Sequence, residues 1–162
     1  MLILGVDPGS LRTGYGAVAT DGRRHRLVEC GAIATSPRQP LAERLLLIHA
    51  GVSRVIARLE PDVLAVEDVF HAANTRTALV LGHVRGVVLL AGAQAGLLLH
   101  EFSPATVKQQ VTGSGRADKR QVAFMVERML HLDSAGHPGD ATDALAVALC
   151  LACVGPSVGA SS

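Results

Sequence analysis

Two short, uninterrupted apolar runs constrain the fold of this 162-residue chain more than any other feature. The first extends from Leu2 to Val6 and ends at Asp7-Pro8-Gly9, and the second extends from Val63 to Val66 and ends at Glu67. Apolar runs of this length, bounded by breakers of regular structure, are typical of strands that are covered on both faces of a sheet. The sequence therefore predicts a central sheet with helices above and below it.

The order of the remaining segments predicts how that sheet is built. Strand-like stretches from Tyr15 to Ala19 and from Arg26 to Ala34 are separated by the turn signal Asp21-Gly22, which predicts three successive antiparallel strands. We therefore predict an α/β fold with a mixed five-stranded sheet, in which three antiparallel strands are followed by two parallel ones and helices cover both faces. The other predicted elements are a helix from Leu41 to Leu59 ended by Pro61, the strand Val63 to Val66, a long helix from Ala72 to Gly96, a strand from Leu97 to Phe102, a helix with Ser103 as N-cap and Pro104 first, a helix through Val122 to Leu130, and a closing helix from Asp140 to about Ala152.

Composition and length favour one domain without a membrane segment. Only 2% of residues are aromatic, so the core must be built from aliphatic side chains and alanine. We expect residues 1–154 to form one domain and residues 155–162 to be a disordered tail. The three cysteines are expected to be reduced, with Cys150 and Cys153 in the core of a cytoplasmic protein. The N-terminus lacks the pattern of a signal peptide, and the longest apolar run, Ala144 to Val154, is shorter than the roughly 20 residues of a membrane span.

Four acidic residues stand where such a fold can bring them together. Asp7 and Glu67 follow two strands that the predicted topology places side by side, and functional sites collect at such strand ends. Asp140 and Asp143 are three residues apart at the start of the closing helix and so share one face. Each acid also has a structural interpretation, since Asp7 can begin a turn and acids are stabilised at helix N-termini.

Four converging carboxylates would repel one another, and divalent cations would remove that repulsion. Oxygen ligands without a cysteine or histidine cluster suit Mg²⁺ or Mn²⁺. Two such ions can activate a water as nucleophile and stabilise the leaving 3′ oxygen of a phosphodiester, leaving a 5′-phosphate. The sequence therefore predicts a site for two divalent ions.

Four segments of the chain carry a resemblance to a known family: ILGVDPGSLRTGYG, VEDVFHAANTRTALVLGHVRG, VKQQVTGSGRADKRQV and DATDALAVALC. In this order they resemble segments of RuvC-type resolvases, and the resemblance covers nearly the whole chain before the tail. This family has a ribonuclease H-like fold and resolves four-way DNA junctions in recombination and DNA repair. The resemblance implies that Asp7, Glu67, Asp140 and Asp143 form the catalytic and metal-binding set, and that the chain forms a homodimer.

Basic residues and one aromatic residue are candidates for binding DNA. Phosphate contacts come chiefly from Lys and Arg. The resemblance implies that Lys108 and Lys119 act near the cleaved phosphate and that Phe70 stacks on a base. Solvated surface remains the alternative interpretation of the basic residues, and the formal net charge of +1 is small for a nucleic-acid-binding protein. The candidate DNA-binding residues are Lys108, Lys119, Phe70, Arg76, Arg12, Arg116 and Arg120.

A junction needs two cuts, which a two-fold dimer with two sites can make. The small residues Ala78, Gly82 and Gly86 recur every four positions in the long helix and make it the candidate dimer interface. The RuvA–RuvB branch-migration complex is a further candidate partner.

Three alternatives compete with the resolvase prediction. The first is an actin-like or sugar-kinase ATPase, which needs two domains of this kind. The second is a nuclease of the same fold that processes ribosomal RNA. The third is a non-catalytic junction-binding scaffold, which would bind neither Mg²⁺ nor Mn²⁺.

Overall fold

The computed structural model describes residues 1–68, 74–132 and 139–155. Within them the elements are β1 (Leu2–Asp7), β2 (Arg12–Thr20), β3 (His25–Ala34), α1 (Leu41–Leu59), β4 (Val63–Glu67), α2 (Thr75–Gln94), β5 (Leu98–Phe102), α3 (Pro104–Thr112), α4 (Lys119–Leu130) and α5 (Gly139–Val154). The strands form one sheet in the order β3-β2-β1-β4-β5. The pairs β1–β2 and β2–β3 are antiparallel, whereas β1–β4 and β4–β5 are parallel. The predicted α/β fold and mixed five-stranded sheet are confirmed.

The two apolar runs form the central strands β1 and β4 and are buried on both faces. Successive side chains of a strand point to opposite faces. Ile3, Val63 and Ala65 pack in the same cluster as α4 and α5, while Leu4 and Leu64 pack with α1 and α2. Because both faces are covered, neither strand needs an alternating polar pattern.

Helix α5 lies unusually close to the sheet, and two glycines make this approach possible. A Cβ added at Gly5 would lie 2.2 Å from the carbonyl oxygen of Ala144, and one added at Gly14 would lie 2.0 Å from that of Asp140. Both glycines therefore fix the first turns of α5, and the acids on them, against β1 and β2.

The short helices begin and end where local chemistry predicts. Ser103 caps α3 by accepting a hydrogen bond from the Thr106 backbone N–H, and Pro104 is the first residue of the helix. Helix α4 begins at Lys119, before the predicted apolar face, because Asp118 and Gln121 form a reciprocal capping box. This cap places Lys119 on the first turn of α4.

Helix α2 is longer than the longest unbroken apolar run, from which we expected no segment long enough to span a membrane. By length and composition alone, Thr75–Gln94 could cross a membrane. Only 22% of its most apolar window is buried inside the fold, so most of that window lies at the surface. Single charged residues such as Arg85 interrupt its apolar sequence, so a search for unbroken runs overlooks it. One face of α2, including Val84 and Val88, packs into the fold, while Leu79 and Leu90 are exposed.

Two smaller expectations need comment. Cys150 is buried as predicted, but Cys153 is exposed on the last turn of α5, so the prediction that it belongs to the core is wrong. The last turns of α5 lie near the surface, where an apolar sequence no longer implies burial. The predicted disordered tail lies, apart from Gly155, outside the described residues.

Candidate active site

The parallel pairing of β1 with β4 places two acids at one edge of the sheet. Val6 is in register with Val66, so the next residues, Asp7 and Glu67, end neighbouring strands. Both line a cavity of about 300 Å³. The other residues lining it are Asp143 and Ala146 of α5, Pro104, Val107 and Lys108 of α3, and Lys119 and Val122 of α4. Three predicted acids and both predicted lysines therefore share one cavity.

Burial and mutual repulsion raise the pKa values of the two strand-end acids. Burial, followed by the charges of Asp7 and Asp143, raises the pKa of Glu67 to about 8. Burial, followed by the charge of Asp143, raises the pKa of Asp7 to about 6, although a hydrogen bond with Glu67 and the charge of Lys119 oppose this rise. Of the two acids, Glu67 keeps its proton to the higher pH, and it donates that proton in a hydrogen bond to Asp7.

Asp143 is held by a lysine from another helix. The Nζ of Lys119 donates a hydrogen bond to Asp143 Oδ2 over 3.0 Å. This bond is the main reason that the pKa of Lys119 is raised above its ordinary value. Lys119 is 86% exposed while Asp143 is 28% exposed, so the lysine can leave the acid without unfolding α4.

Asp140 takes a different position from the other three acids. It lies on the first turn of α5 but does not line the cavity. Its Oδ2 accepts a hydrogen bond from the Nε of Arg12 over 2.5 Å, which ties the start of α5 to the start of β2. The structure thus brings Asp7, Glu67 and Asp143 together and turns Asp140 toward an arginine beside them.

The acids around the cavity fit a divalent cation that keeps bound waters better than a cation held by protein side chains alone. Among the described residues, no three His, Cys, Asp or Glu side chains surround one point closely enough to hold a metal by themselves. Small hard cations such as Mg²⁺ are commonly bound by one or two carboxylates together with waters and substrate phosphates. Burial and mutual repulsion disfavour the ionised forms of Asp7 and Glu67, and a bound cation would stabilise those ionised forms. The cavity therefore fits such an ion, with substrate completing its ligands.

The strand-end acids predict an unusual pH dependence of stability. Because the folded pKa values of Asp7 and Glu67 exceed the ordinary value near 4, the folded state retains protons that the unfolded chain releases. In chelator-treated protein, stability should therefore fall as the pH rises from about 4, where the unfolded chain releases these protons, to about 8, where the folded protein has released them too. Glu67→Gln should remove most of this fall and stabilise the protein at about pH 8 by up to ~3 kcal/mol, or ~6 °C in melting temperature.

Thermal denaturation over that pH range, with chelator present, measures the effect. The matched control is Glu43→Gln, which changes an exposed acid in the first turn of α1 that does not line the cavity. It should leave the slope of melting temperature against pH unchanged. A flat profile for the wild-type protein would contradict the proton sharing described above.

Comparison with known proteins identifies the family. The family described as crossover junction endodeoxyribonuclease RuvC matches residues 3–151. The RuvC of Pelotomaculum thermopropionicum is 51% identical over 150 residues, which cover 93% of this chain and 92% of that protein. The chain belongs to the RuvC family. The RuvC of Chloroflexus aggregans is 48% identical over 158 residues, which cover 98% of this chain and 96% of that protein.

Solved RuvC structures support the same assignment. The structure of T. thermophilus RuvC in complex with a Holliday junction substrate matches this chain with a TM-score of 0.89 and 39% identity, covering 95% of this chain and 94% of that one. The yeast mitochondrial resolvase Ydc2 matches with a TM-score of 0.68 but 11% identity, which shows likeness of fold alone.

The remaining RuvC-type site candidates lie in different places around the cavity. Lys108 and Lys119 line it, and Arg12 adjoins it through Asp140. Arg76 is exposed on the first turn of α2, and Phe70 lies outside the described residues. Arg116 is exposed between α3 and α4, and Arg120 is exposed on the first turn of α4.

One feature of the site was not predicted from the sequence, namely the apolar wall of the cavity formed by Val107 and Val122. Asp68, which follows Glu67 directly, forms an ion pair with Arg85 of α2 and does not line the cavity. Apolar residues on amphipathic helices carry no sequence signal that separates a cavity wall from ordinary core.

Proposed function

We propose that this chain is a crossover junction endodeoxyribonuclease that resolves four-way DNA junctions by paired symmetric cuts, in recombination and DNA repair. The observation that carries the proposal is the cavity in which Asp7, Glu67 and Asp143 meet Lys108 and Lys119. Acids for divalent cations and lysines for phosphate are the two requirements of phosphodiester hydrolysis. Membership of the RuvC family supports a junction as the substrate.

The proposed cofactor is Mg²⁺ or Mn²⁺, with two ions for each subunit. Asp7, Glu67, Asp140 and Asp143 would hold them, with Asp140 turning from Arg12 toward the cavity. The ions would polarise the attacking water and stabilise the charge on the leaving 3′ oxygen. In the reaction, a bond forms between the water oxygen and phosphorus, and the bond from phosphorus to the 3′ oxygen breaks. The products carry a 5′-phosphate and a 3′-hydroxyl.

The chain's own residues have further tasks in this proposal. Lys119 and Arg12, which hold Asp143 and Asp140 in ion pairs, can bind DNA phosphates once the acids turn to the cations. Lys108 reaches the cavity from α3 and can contact the scissile phosphate. Glu67 must lose its proton before it can act as a ligand, and a bound cation favours that loss.

The proposed assembly is a homodimer joined through α2. Leu79 and Leu90 leave apolar side chains on its exposed face, and Leu45 of α1 adjoins them. A Cβ added at Gly82 or Gly86 would meet nothing within 4 Å in this chain, so a second helix can approach closely there. A large exposed apolar surface rimmed by polar groups is typical of an interface. Burial of this face against a second subunit explains the apolar composition of α2 without a membrane.

The wider setting of the enzyme is part of the proposal. Residues 1–154 would form one nuclease domain in a cytoplasmic protein. The RuvA–RuvB branch-migration complex is a candidate partner in this proposal.

The decisive experiment compares a synthetic four-way junction with linear duplex of the same sequence. With Mg²⁺ or Mn²⁺ the junction should be cut at paired positions, the duplex should remain intact, and chelator should stop the reaction. If the protein binds the junction but neither cuts it nor binds Mg²⁺ or Mn²⁺, the scaffold alternative would be supported. Preferential cutting of a structured ribosomal RNA fragment would instead support the RNA-processing alternative.

Lys119→Ala should weaken junction binding and make it less dependent on salt. Removing one phosphate contact should lower the slope of log Kd against log salt by about one unit. Fluorescence anisotropy at several salt concentrations measures this slope. The control is Arg24→Ala, which removes an exposed cation from the turn between β2 and β3. Equal slopes for Lys119→Ala and the wild-type protein would assign Lys119 to the solvated surface.

A further inference from the structure

A second cleft lies beside the active-site cavity, between α4 and the segment that follows α3. It has a volume of about 390 Å³. Among the residues that the structure describes, no acidic residue lines it, and its walls combine hydrogen-bonding and apolar groups. The principal lining residues are Thr112, Ser114, Arg120, Gln121, Phe124 and Met125.

Phe124 is the unusual residue of this cleft. The chain contains only four aromatic side chains, Tyr15 and three phenylalanines, and among the described phenylalanines Phe102 is buried while Phe124 is 56% exposed. The Arg128 guanidinium carbon lies 5.7 Å from the centre of the Phe124 ring. Phe124 lines the cleft whereas Arg128 does not, so the ring borders the cleft while Arg128 contacts it by a cation–π interaction.

The charge around the cleft selects the kind of ligand. Arg120 lines the cleft. Arg116 lies between α3 and α4, and Arg128 lies in the last turn of α4. Among the described residues none of these three guanidinium groups forms an ion pair, whereas Arg12, Arg58 and Arg85 all do. Among the described residues, the acids of the same segment are Asp118, which caps α4, and Glu127, and neither lines the cleft. Unpaired guanidinium groups beside an exposed ring suit a nucleobase with its phosphates.

The cleft is close enough to the active site to receive the same DNA strand. Lys119 and Val122 of α4 line the active-site cavity, whereas Arg120 and Phe124 line the cleft. The two cavities are therefore separated by about one helix diameter, roughly 10 Å. That distance corresponds to about three nucleotide steps of ~3.4 Å along a duplex.

We propose that this cleft binds a nucleobase of the junction strand within about four nucleotides of the cut, stacked on Phe124, with Arg116, Arg120 and Arg128 neutralising the adjoining phosphates. The inference rests on the proposed function, because the strand must already lie in the active-site cavity. An unpaired base at the branch point fits best, since a base within an intact duplex is already stacked. The cleft would thus help the enzyme to distinguish a junction from linear DNA.

The test places 2-aminopurine, one position at a time, within six nucleotides of the cut on a synthetic junction. The Asp7→Asn protein is used so that the DNA stays intact. Stacking should quench the 2-aminopurine fluorescence at one or two adjacent positions. In the double variant Asp7→Asn, Phe124→Ala this quenching should be lost, while the fluorescence at the other positions should not change. In the otherwise wild-type protein, Phe124→Ala should weaken junction binding by about 5- to 30-fold, whereas Phe124→Trp should retain binding.

The matched control is Leu98→Ala, which removes an exposed apolar side chain from β5 and should change neither signal. Circular dichroism and melting temperature check that each variant is folded. If the wild-type protein binds and cuts the junction, the proposed function stands. If Phe124→Ala then retains the quenching and the affinity of the protein that keeps Phe124, this inference is overturned. The surface would then serve another ligand, such as a protein. A wild-type protein that neither binds nor cuts the junction would overturn both.

Discussion

Asp7→Asn should abolish junction cleavage, lowering its rate by at least about a thousandfold, and should change junction affinity by less than about threefold. The substitution removes one oxygen ligand and one negative charge at the end of β1 but keeps the volume of the side chain. An asparagine can still accept the hydrogen bond from Glu67. The basic residues that bind DNA remain, so binding should persist after the chemistry has stopped.

Single-turnover cleavage and equilibrium binding, measured on the same junction, separate the two effects. The control is Asp68→Asn, because Asp68 follows Glu67 directly but pairs with Arg85 outside the cavity. It should retain most of the cleavage rate. Parallel loss of binding and cleavage in Asp7→Asn would show that Asp7 maintains the structure of the site and is not a dedicated metal ligand.

The sheet could be predicted because its strands carry strong local signals. The run from Val63 to Val66 is apolar on both faces and follows Pro61, so little except a central strand accounts for it. The turn at Asp21-Gly22 joins β2 to β3 as predicted. Helix boundaries were less certain, and α4 begins at Lys119 because its capping box, more than its apolar periodicity, fixes the start.

The acids could be located from strand ends, but their partners could not. The pairing of β1 with β4 brings Asp7 to Glu67 across sixty residues of sequence, and topology alone predicts this. The ion pair between Arg12 and Asp140 depends on side-chain orientation between residues 128 positions apart. No periodicity or spacing in the sequence contains that information.

Exposure on helices was the other feature that the sequence did not reveal. Phe124 is an aromatic residue of the kind usually found in a core. Helix α4 packs through Val122 and Val126, and this leaves Phe124 on its exposed side. Helix α2 presents the same difficulty, because its apolar residues occur on nearly every side. In both helices, the apolar groups left on the surface mark the places where further molecules are proposed to bind.

The ion pairs of α5 connect the two halves of the proposed mechanism. Lys119 and Arg12 neutralise Asp143 and Asp140, the same charges that divalent ions would neutralise during catalysis. Cations and DNA should therefore assist each other's binding, since phosphates can take up the basic side chains that the acids release. Coupling of this kind is reciprocal, so the junction should tighten metal binding as much as metal tightens junction binding.

A heterodimer of one wild-type subunit and one Asp143→Asn subunit should nick junctions but rarely resolve them. Each subunit of the proposed dimer carries one complete set of acids, and each set reaches one of the two strands. Loss of one ligand should slow the cut in that subunit by about a thousandfold while its partner still cuts. The substitution lies on α5, away from the α2 face that joins the subunits, so the dimer itself should persist.

The readout is a supercoiled plasmid with an extruded cruciform, because one nick gives open circles and two cuts within one binding event give linear DNA. Subunits with different affinity tags allow the heterodimer to be purified, and a heterodimer of two differently tagged wild-type subunits is the control. Open circles should accumulate with the mixed heterodimer, whereas the control should yield mainly linear DNA. Normal linear yield from the mixed heterodimer, or a monomer mass at concentrations that support cleavage, would exclude two cooperating sites, and the α2 surface would then need a different partner.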